Sequence, residues 1–190
     1  VSTRMVDLRT GKFTDEVSAE DFNERKAAKD PALSESLTPE EDRAKISRRE
    51  NYAAIYLVKN GQGEIDKIIL TIRGYGLWST LYGFIALESD LETVAGIGFY
   101  EHAETPGLGG EIDNPNWKAS WIGKKAYNSG DLAITVLKGK ADMNRDGYES
   151  QIDGLAGATL TTRGVDNLVR YWLGDEGFRP LINSLKSGEA

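Results

Sequence analysis

Two aliphatic, β-branched runs, Ala53–Val58 and Ile65–Ile72, are separated by Asn60-Gly61-Gln62-Gly63. This combination limits the fold more than any other feature of the chain. Branched side chains lose rotamer freedom in a helix and pack well on a pleated surface, so both runs are predicted strands. The Asn/Gly turn folds one back on the other as an antiparallel hairpin. Further strand candidates follow at Gly83–Glu88, Val94–Glu101, Lys118–Ile122 and Leu132–Leu137, divided by the glycine-rich stretches Gly74-Tyr75-Gly76 and Thr105–Gly110. The two ends of the chain differ in character. Residues 1–50 are polar, with predicted helices at Ala19–Ala28 and Pro39–Arg48; Thr38 and Glu41 make a capping box and Pro39 suits a first helical position. At the other end Val165, Leu168, Val169, Trp172 and Leu173 form one apolar helical stripe stopped by Gly174. A shorter helix, Phe178–Lys186, follows. The pattern predicts an α+β fold: an antiparallel sheet flanked by helices at the N- and C-terminal ends, as a single soluble domain. A helical region, residues 1–50, is expected to pack on a main domain, residues 51–190.

The chain has no cysteine and one histidine, His102. Iron–sulfur ligation, thiol catalysis, disulfides and multi-histidine metal cages are therefore excluded. With a net charge of −7 and a pI near 4.9 the surface repels polyanions, which excludes nucleic acid as a partner. The longest apolar runs fall well short of the roughly 20 residues that a membrane-spanning helix needs. Val1 in place of Met fits a processed or trimmed product.

One segment, Asp153-Gly154-Leu155-Ala156-Gly157-Ala158-Thr159-Leu160-Thr161, combines small residues with hydroxyls just ahead of the amphipathic helix, expected to begin near Thr162. The leading N–H groups of a helix lack internal acceptors and carry the positive end of its dipole, so a phosphate is held there by both effects. Gly154 and Gly157 admit close backbone approach to a bulky ligand. On local physics alone, Thr161 or Thr162 serves equally as an N-cap and the glycines as a tight turn.

Asp153–Thr159 resembles the flavinylation motif of the FMN-binding domain family, Asp-Gly-x-Ser/Thr-Gly-Ala-Thr. Gly74–Ser79, Tyr100–Gly110 and Tyr171–Asp175 extend the resemblance over nearly the whole chain, towards the C subunits of the sodium-translocating NADH:quinone reductases. The resemblance implies covalent FMN, its phosphate esterified to Thr159, with Asp153, Gly154, Leu155, Ala156, Gly157 and Ala158 as the rest of the motif. Ala156 departs from the family's Ser or Thr, a lost hydroxyl at a position that is not the attachment site. No catalytic acid or base is expected, because the flavin carries the redox chemistry. The resemblance further implies one-electron transfer within a respiratory membrane complex, from an iron–sulfur-bearing subunit towards another flavin and finally quinone. Its partners would be the other subunits and, for maturation, a flavin transferase with Mg²⁺. The family's single N-terminal membrane anchor is missing from this chain, and the flavin domain would lie on the periplasmic side of the inner membrane. The G subunit of the related Rnf electron-transport complex shares the motif and is the alternative within the family.

An isoalloxazine ring is flat and largely apolar, with polar atoms on one edge, and suits an apolar wall with a few directed hydrogen bonds. Leu77 and Trp78 can supply that wall, although a core tryptophan reads the same way. By resemblance, Glu104, Thr105, Gly107 and Leu108 contact the ring and ribityl chain; a solvent loop is the plain alternative. Lys138, ending a strand, can pair with the phosphate or simply be solvated. Asp142–Asp153 has calcium-loop spacing, with oxygens at positions 1, 3 and 5, Gly147 at 6 and a carboxylate at 12. Glu149 at a normally apolar position, Asp where a bidentate Glu belongs, and a strand in front favour a polar surface turn, so no metal site is expected. The loop nevertheless defines a reading of another class, a non-redox, calcium-stabilised binding module.

Overall fold

Asn60 closes the predicted hairpin with its own side chain. Its Oδ1 accepts from the N–H groups of Gln62 and Glu64 at 2.9 and 3.1 Å, and Gly63 takes a φ of +80°. In the computed structural model, which describes residues 1–190, this turn joins two strands of a six-stranded antiparallel sheet. The strands of the sheet are β1 (Ser2–Asp7), β2 (Lys12–Thr14), β5 (Tyr52–Lys59), β6 (Ile65–Tyr75), β7 (Thr80–Glu88) and β8 (Val94–Glu101), in the spatial order β2-β1-β5-β6-β7-β8. Between β2 and β5 lie the short helix α1 (Glu24–Ala27) and a small ladder of β3 (Ser34–Ser36) with β4 (Arg48–Glu50). After β8 come α2 (Pro115–Ala119), β9 (Tyr127–Asn128), β10 (Asp131–Leu132), β11 (Thr135–Val136), β12 (Gln151–Ile152), α3 (Thr159–Trp172) and α4 (Arg179–Ser187).

Side chains alternate across a strand, and here the alternation decides which face is covered. Ile68, Leu70 and Ile72 of β6 and Leu81, Ile85 and Leu87 of β7 are buried; their neighbours are half-exposed. Val165, Leu168, Val169 and Trp172 of α3 complete the core against that face, with Phe178, Leu181 and Ile182 beside them. No helix is long and apolar enough to cross a membrane.

The N-terminal expectation needs correction. Residues 1–50 carry one four-residue helix, and Ser2–Asp7 instead pairs along its length with Tyr52–Leu57. The boundary expected at residue 50 therefore does not separate a helical region from the sheet. The Thr38–Glu41 capping box does form: Glu41 Oε2 accepts from Thr38 N–H at 3.0 Å, and Thr38 Oγ1 accepts from Glu41 N–H at 3.3 Å. No helix grows from it. Asp42 accepts from the N–H groups of Ile46 and Ser47, and Lys45 and Ser47 take left-handed φ values of 53° and 68°. Lys118–Ile122 is not a strand either. Asn114 caps α2 with Pro115 at its first turn, and the i, i+4 pair Trp117 and Trp121 packs edge to face. The expected strand Leu132–Leu137 breaks into β10 and β11, because the N–H groups of Ala133 and Ile134 both turn to Ala126 O. β11 pairs with β12 in parallel, away from the main sheet.

Helix α3 comes unusually close to the β6–β7 hairpin at Gly164. A Cβ there would stand 2.5 Å from Tyr75 O and 2.9 Å from Gly76 Cα. Gly164→Ala is therefore expected to cost about 1–3 kcal/mol by overpacking, despite the better helix propensity of Ala. A lowered thermal midpoint in a melt checks this; an unchanged or raised midpoint would show that the helix can shift away freely.

Candidate functional site

Helix α3 begins at Thr159, three residues earlier than the apolar stripe suggests. Thr159 is thus the first helical residue and its side chain is exposed. Ala158, the cap, has no side-chain group to offer, and the N–H groups of Thr159, Leu160 and Thr161 find no acceptor in the protein. Thr161 and Thr162 are not caps. Both are buried: Thr162 Oγ1 accepts from Leu155 N–H at 3.0 Å, and Thr161 Oγ1 donates to Glu104 at 2.9 Å. Of the threonine hydroxyls at this helix end, only that of Thr159 is presented to solvent.

The loop before the helix is fastened on both sides. Asp153 Oδ1 accepts from Ala141 N–H at 2.6 Å, and Asp153 O accepts from the Trp117 indole N–H at 2.9 Å. A Cβ on Gly154 would collide with the carbonyl oxygens of Leu137 and Lys138, so only glycine lets this loop lie against them. Gly157 turns the chain with a φ of +72°. Leu155 and Ala158 are buried, and Ala156 is exposed. A cavity of about 150 Å³ adjoins the helix start, lined by Val136, Lys138, Thr159, Thr162, Arg163 and Asp166. Asp166 is committed elsewhere, accepting from Thr135 Oγ1 and Val136 N–H. The cations Lys138 and Arg163 line the same cavity as Thr159.

Glu104 is the junction of the three segments singled out from the sequence. It is only 5% exposed. Its Oε1 accepts from Leu77 N–H at 2.7 Å and Thr161 Oγ1 at 2.9 Å; its Oε2 accepts from Trp78 N–H at 3.0 Å and Ser79 Oγ at 2.8 Å. Burial pushes this carboxyl upward, but the donors at Leu77, Trp78, Ser79 and Thr161 outweigh it and hold the pKa below the ordinary carboxylate range. Gly76 is required beside it, since a Cβ there would stand 2.5 Å from Glu104 Oε1. Behind Glu104, its own N–H donates to His102 Nδ1 at 3.1 Å, and His102 Nε2 lies 2.7 Å from Asp113.

This junction displays apolar surface. Trp78 is 66% exposed, Leu108 46% and Leu160 50%, whereas tryptophan and leucine are usually buried. Leu108 lies beside Gly157, and Leu77, Leu160 and Arg163 share a cavity of about 200 Å³. Gly107 shapes its loop with a φ of +78°, leaving Thr105, Gly107 and Leu108 exposed. Trp78 is therefore not ordinary core. Sequence reasoning missed Arg163, Thr161 and Ser79 as parts of this site. Arg163 was detectable, lying one helical turn after Thr159, once the helix start is placed correctly. The calcium-type loop gathers no group of three acidic or histidine side chains; Asp142 accepts from Asn144 N–H and faces Arg145.

Comparison with known proteins identifies the family. The family model of the FMN-binding domain matches residues 76–174. The chain is 54% identical over 191 residues to the C subunit of the Na(+)-translocating NADH-quinone reductase of Pseudomonas aeruginosa, covering 100% of this chain and 73% of that protein. It is 50% identical over 190 residues to the corresponding C subunit of Vibrio alginolyticus, covering 100% and 72%. Among solved structures, NqrC of Shewanella oneidensis superposes with a TM-score of 0.88 at 35% identity, over 98% of this chain and 84% of that one. The C subunit of the Parabacteroides distasonis reductase gives 0.73 at 28% identity, over 97% and 78%.

Proposed function

This chain belongs to the FMN-binding domain family and, within it, to the C subunits of Na⁺-translocating NADH-quinone reductases, and from that premise we propose that it is an electron carrier with FMN esterified to the Thr159 hydroxyl. The observation that carries the proposal is the exposed Thr159 Oγ at the start of α3, beside three N–H groups without acceptors and with two cations lining the same cavity. These features suit an anionic phosphate, both in the incoming flavin donor and in the singly charged diester that it becomes.

When bound, FMN supplies reversible uptake and release of electrons. The chain's own residues hold and shield it. The N–H groups of Thr159, Leu160 and Thr161, with Lys138 and Arg163, face the phosphate. Trp78, Leu77, Leu108 and Leu160 offer the apolar wall, and Thr105 and Gly107 the polar loop beside it. Glu104 has both carboxylate oxygens engaged by protein donors, so it positions the wall rather than touching the ring. Asp153, Gly154, Leu155, Ala156, Gly157 and Ala158 set the path of the loop into α3. No residue of the site moves a proton in this role.

Esterification forms an Oγ–P bond, releases the hydroxyl proton and breaks the P–O bond to the departing group of the flavin donor. A flavin transferase with Mg²⁺ would supply that step. The proposal extends to electron passage between neighbouring subunits of the reductase, with the domain at the periplasmic face of the inner membrane; the name that the relatives carry supports the assembly.

Chain produced together with the transferase should gain the mass of one FMN less one water, with the flavin on the peptide that contains Thr159. Flavin mapped to any other peptide would overturn the assignment. Lys138→Ala and Arg163→Ala are each expected to slow flavinylation about three- to tenfold while leaving folding unchanged, because exposed cations contribute little to stability. Rates of mass gain check this.

A further inference from the structure

A third concavity lies on the outer face of the sheet and shares no residue with either cavity near Thr159. Strand alternation puts Ala54, Tyr56, Thr71 and Phe84 on the face away from the core. Tyr100 of β8 joins them, and the segment carrying Phe22 and Glu24 borders one side of an open cleft of about 340 Å³. Phe84 stands 5.3 Å from Tyr100 with ring planes 35° apart, and 6.1 Å from Tyr56 at 72°. Tyr100 is 60% exposed, although its ring stacks in this cluster.

The polar floor is specific. Glu24 Oε1 accepts from Ala54 N–H at 3.2 Å and from Thr71 Oγ1 at 3.4 Å. Its Oε2 has no hydrogen-bond partner, yet it is not among the buried atoms sealed from solvent. Oε2 is therefore free to meet a ligand, and donates to it whenever the carboxyl is protonated. Glu24 is faced by Glu50 and Arg73, which pair with each other at 2.6 Å, by Tyr56 and Tyr100 from the sheet, and by Arg25 on its own helix. Burial first, and the Glu50 charge second, push its pKa up to about 7. The cation and the amide at the rim are engaged: Arg25 pairs with Glu101 at 3.0 Å and lies over Tyr82, and Asn23 caps α1. A charged ligand thus finds no free counter-ion in the cleft.

We propose that this cleft binds a flat, uncharged, conjugated ring bearing a carbonyl oxygen, as flavin and quinone rings do, seated among Phe22, Tyr56, Phe84 and Tyr100 and accepting a hydrogen bond from Glu24 Oε2. Pockets of this size, with aromatic walls and one directed polar group, recognise such rings. Affinity falls as pH rises through about 7, because ionised Oε2 repels the carbonyl it otherwise serves.

The test uses the full chain, both flavinylated and as Thr159→Ala, so that its outcome is independent of the covalent flavin. Riboflavin and a water-soluble short-chain benzoquinone are titrated separately, with the Tyr100 and Phe84 resonances followed by NMR. At least one probe should bind equally to both forms at about pH 6 and roughly tenfold more weakly at about pH 8.5. Binding by one probe alone identifies the ring class. Tyr100→Ala, at an exposed position, should weaken binding about tenfold. Glu24→Gln, which keeps a donor, should retain binding and abolish the pH dependence. The proposal fails if neither probe moves these resonances, if Tyr100→Ala leaves affinity unchanged, or if Glu24→Gln keeps the pH dependence.

Discussion

Thr159→Ala, produced together with the flavin transferase, is expected to keep its unmodified mass and show no flavin after denaturation. The effect should be all or none, because the substitution removes the oxygen that becomes part of the ester. Stability should change by no more than about 0.5 kcal/mol, since Thr159 is exposed and its hydroxyl caps nothing. Thr159→Ser retains a primary hydroxyl at the same helical position and is expected to accept flavin. The neighbouring threonines provide the contrast. Thr161 and Thr162 are buried and bonded to Glu104 and Leu155, so a transferase cannot reach them without unwinding the first turn of α3. Intact mass and peptide mapping of Thr159→Ala and Thr161→Ala separate the two cases. Flavin retained covalently in the first variant would refute the anchor.

The second large effect is expected at Glu104. Glu104→Ala removes the acceptor for four donors at once: the Leu77 and Trp78 N–H groups and the Ser79 and Thr161 hydroxyls. Each donor left buried without a partner costs about 1–3 kcal/mol, and water entering the gap recovers part of that. A net loss of about 3 kcal/mol is expected, lowering the melting midpoint by roughly 6–12 °C in a chain of this size. The pH dependence has a defined sign. The folded-state pKa lies below the ordinary value, so the stabilisation is complete above the ordinary carboxylate range and is lost as pH falls through the depressed value. Wild-type stability should therefore drop on acidification through and below about pH 4.5, and the drop should be shallower in Glu104→Ala. Denaturant melts at neutral and acidic pH measure both slopes. Released from Glu104, the turn carrying Trp78 should also become mobile, read as faster exchange of the Leu77 and Trp78 amides.

The central sheet was legible because its signals are local. The aliphatic runs of β5 and β6 and the Asn60 turn lie within a few residues of one another, and each appears as expected. Likewise the α3 stripe and the motif ending at Thr159 are contiguous. Of the two helices expected near the N-terminus, Ala19–Ala28 shrinks to Glu24–Ala27 and Pro39–Arg48 does not form, for the converse reason. The Thr38–Glu41 capping box is real as a set of hydrogen bonds, but Asp42 offers the following N–H groups a competing acceptor, and Ser2–Asp7 is recruited by Tyr52–Leu57 some fifty residues away. Local propensity cannot register a partner so distant in sequence.

For the site, the order of residues supplied the helix start and the glycines before it, because a backbone lying against a neighbour depends on adjacent residues, while resemblance to the FMN-binding motif supplied Thr159 as the proposed anchor and Leu77 and Trp78 as the proposed wall. Tertiary structure alone decided that Glu104 gathers Leu77, Trp78, Ser79 and Thr161, that Arg163 joins Lys138 beside Thr159, and that Trp78 faces solvent. The Glu104 contacts join segments 25 to 57 residues apart: the pairing of β7 with β8 brings Glu104 to Leu77, Trp78 and Ser79, and the packing of α3 against the β6–β7 hairpin, permitted by Gly74 and Gly164, adds Thr161.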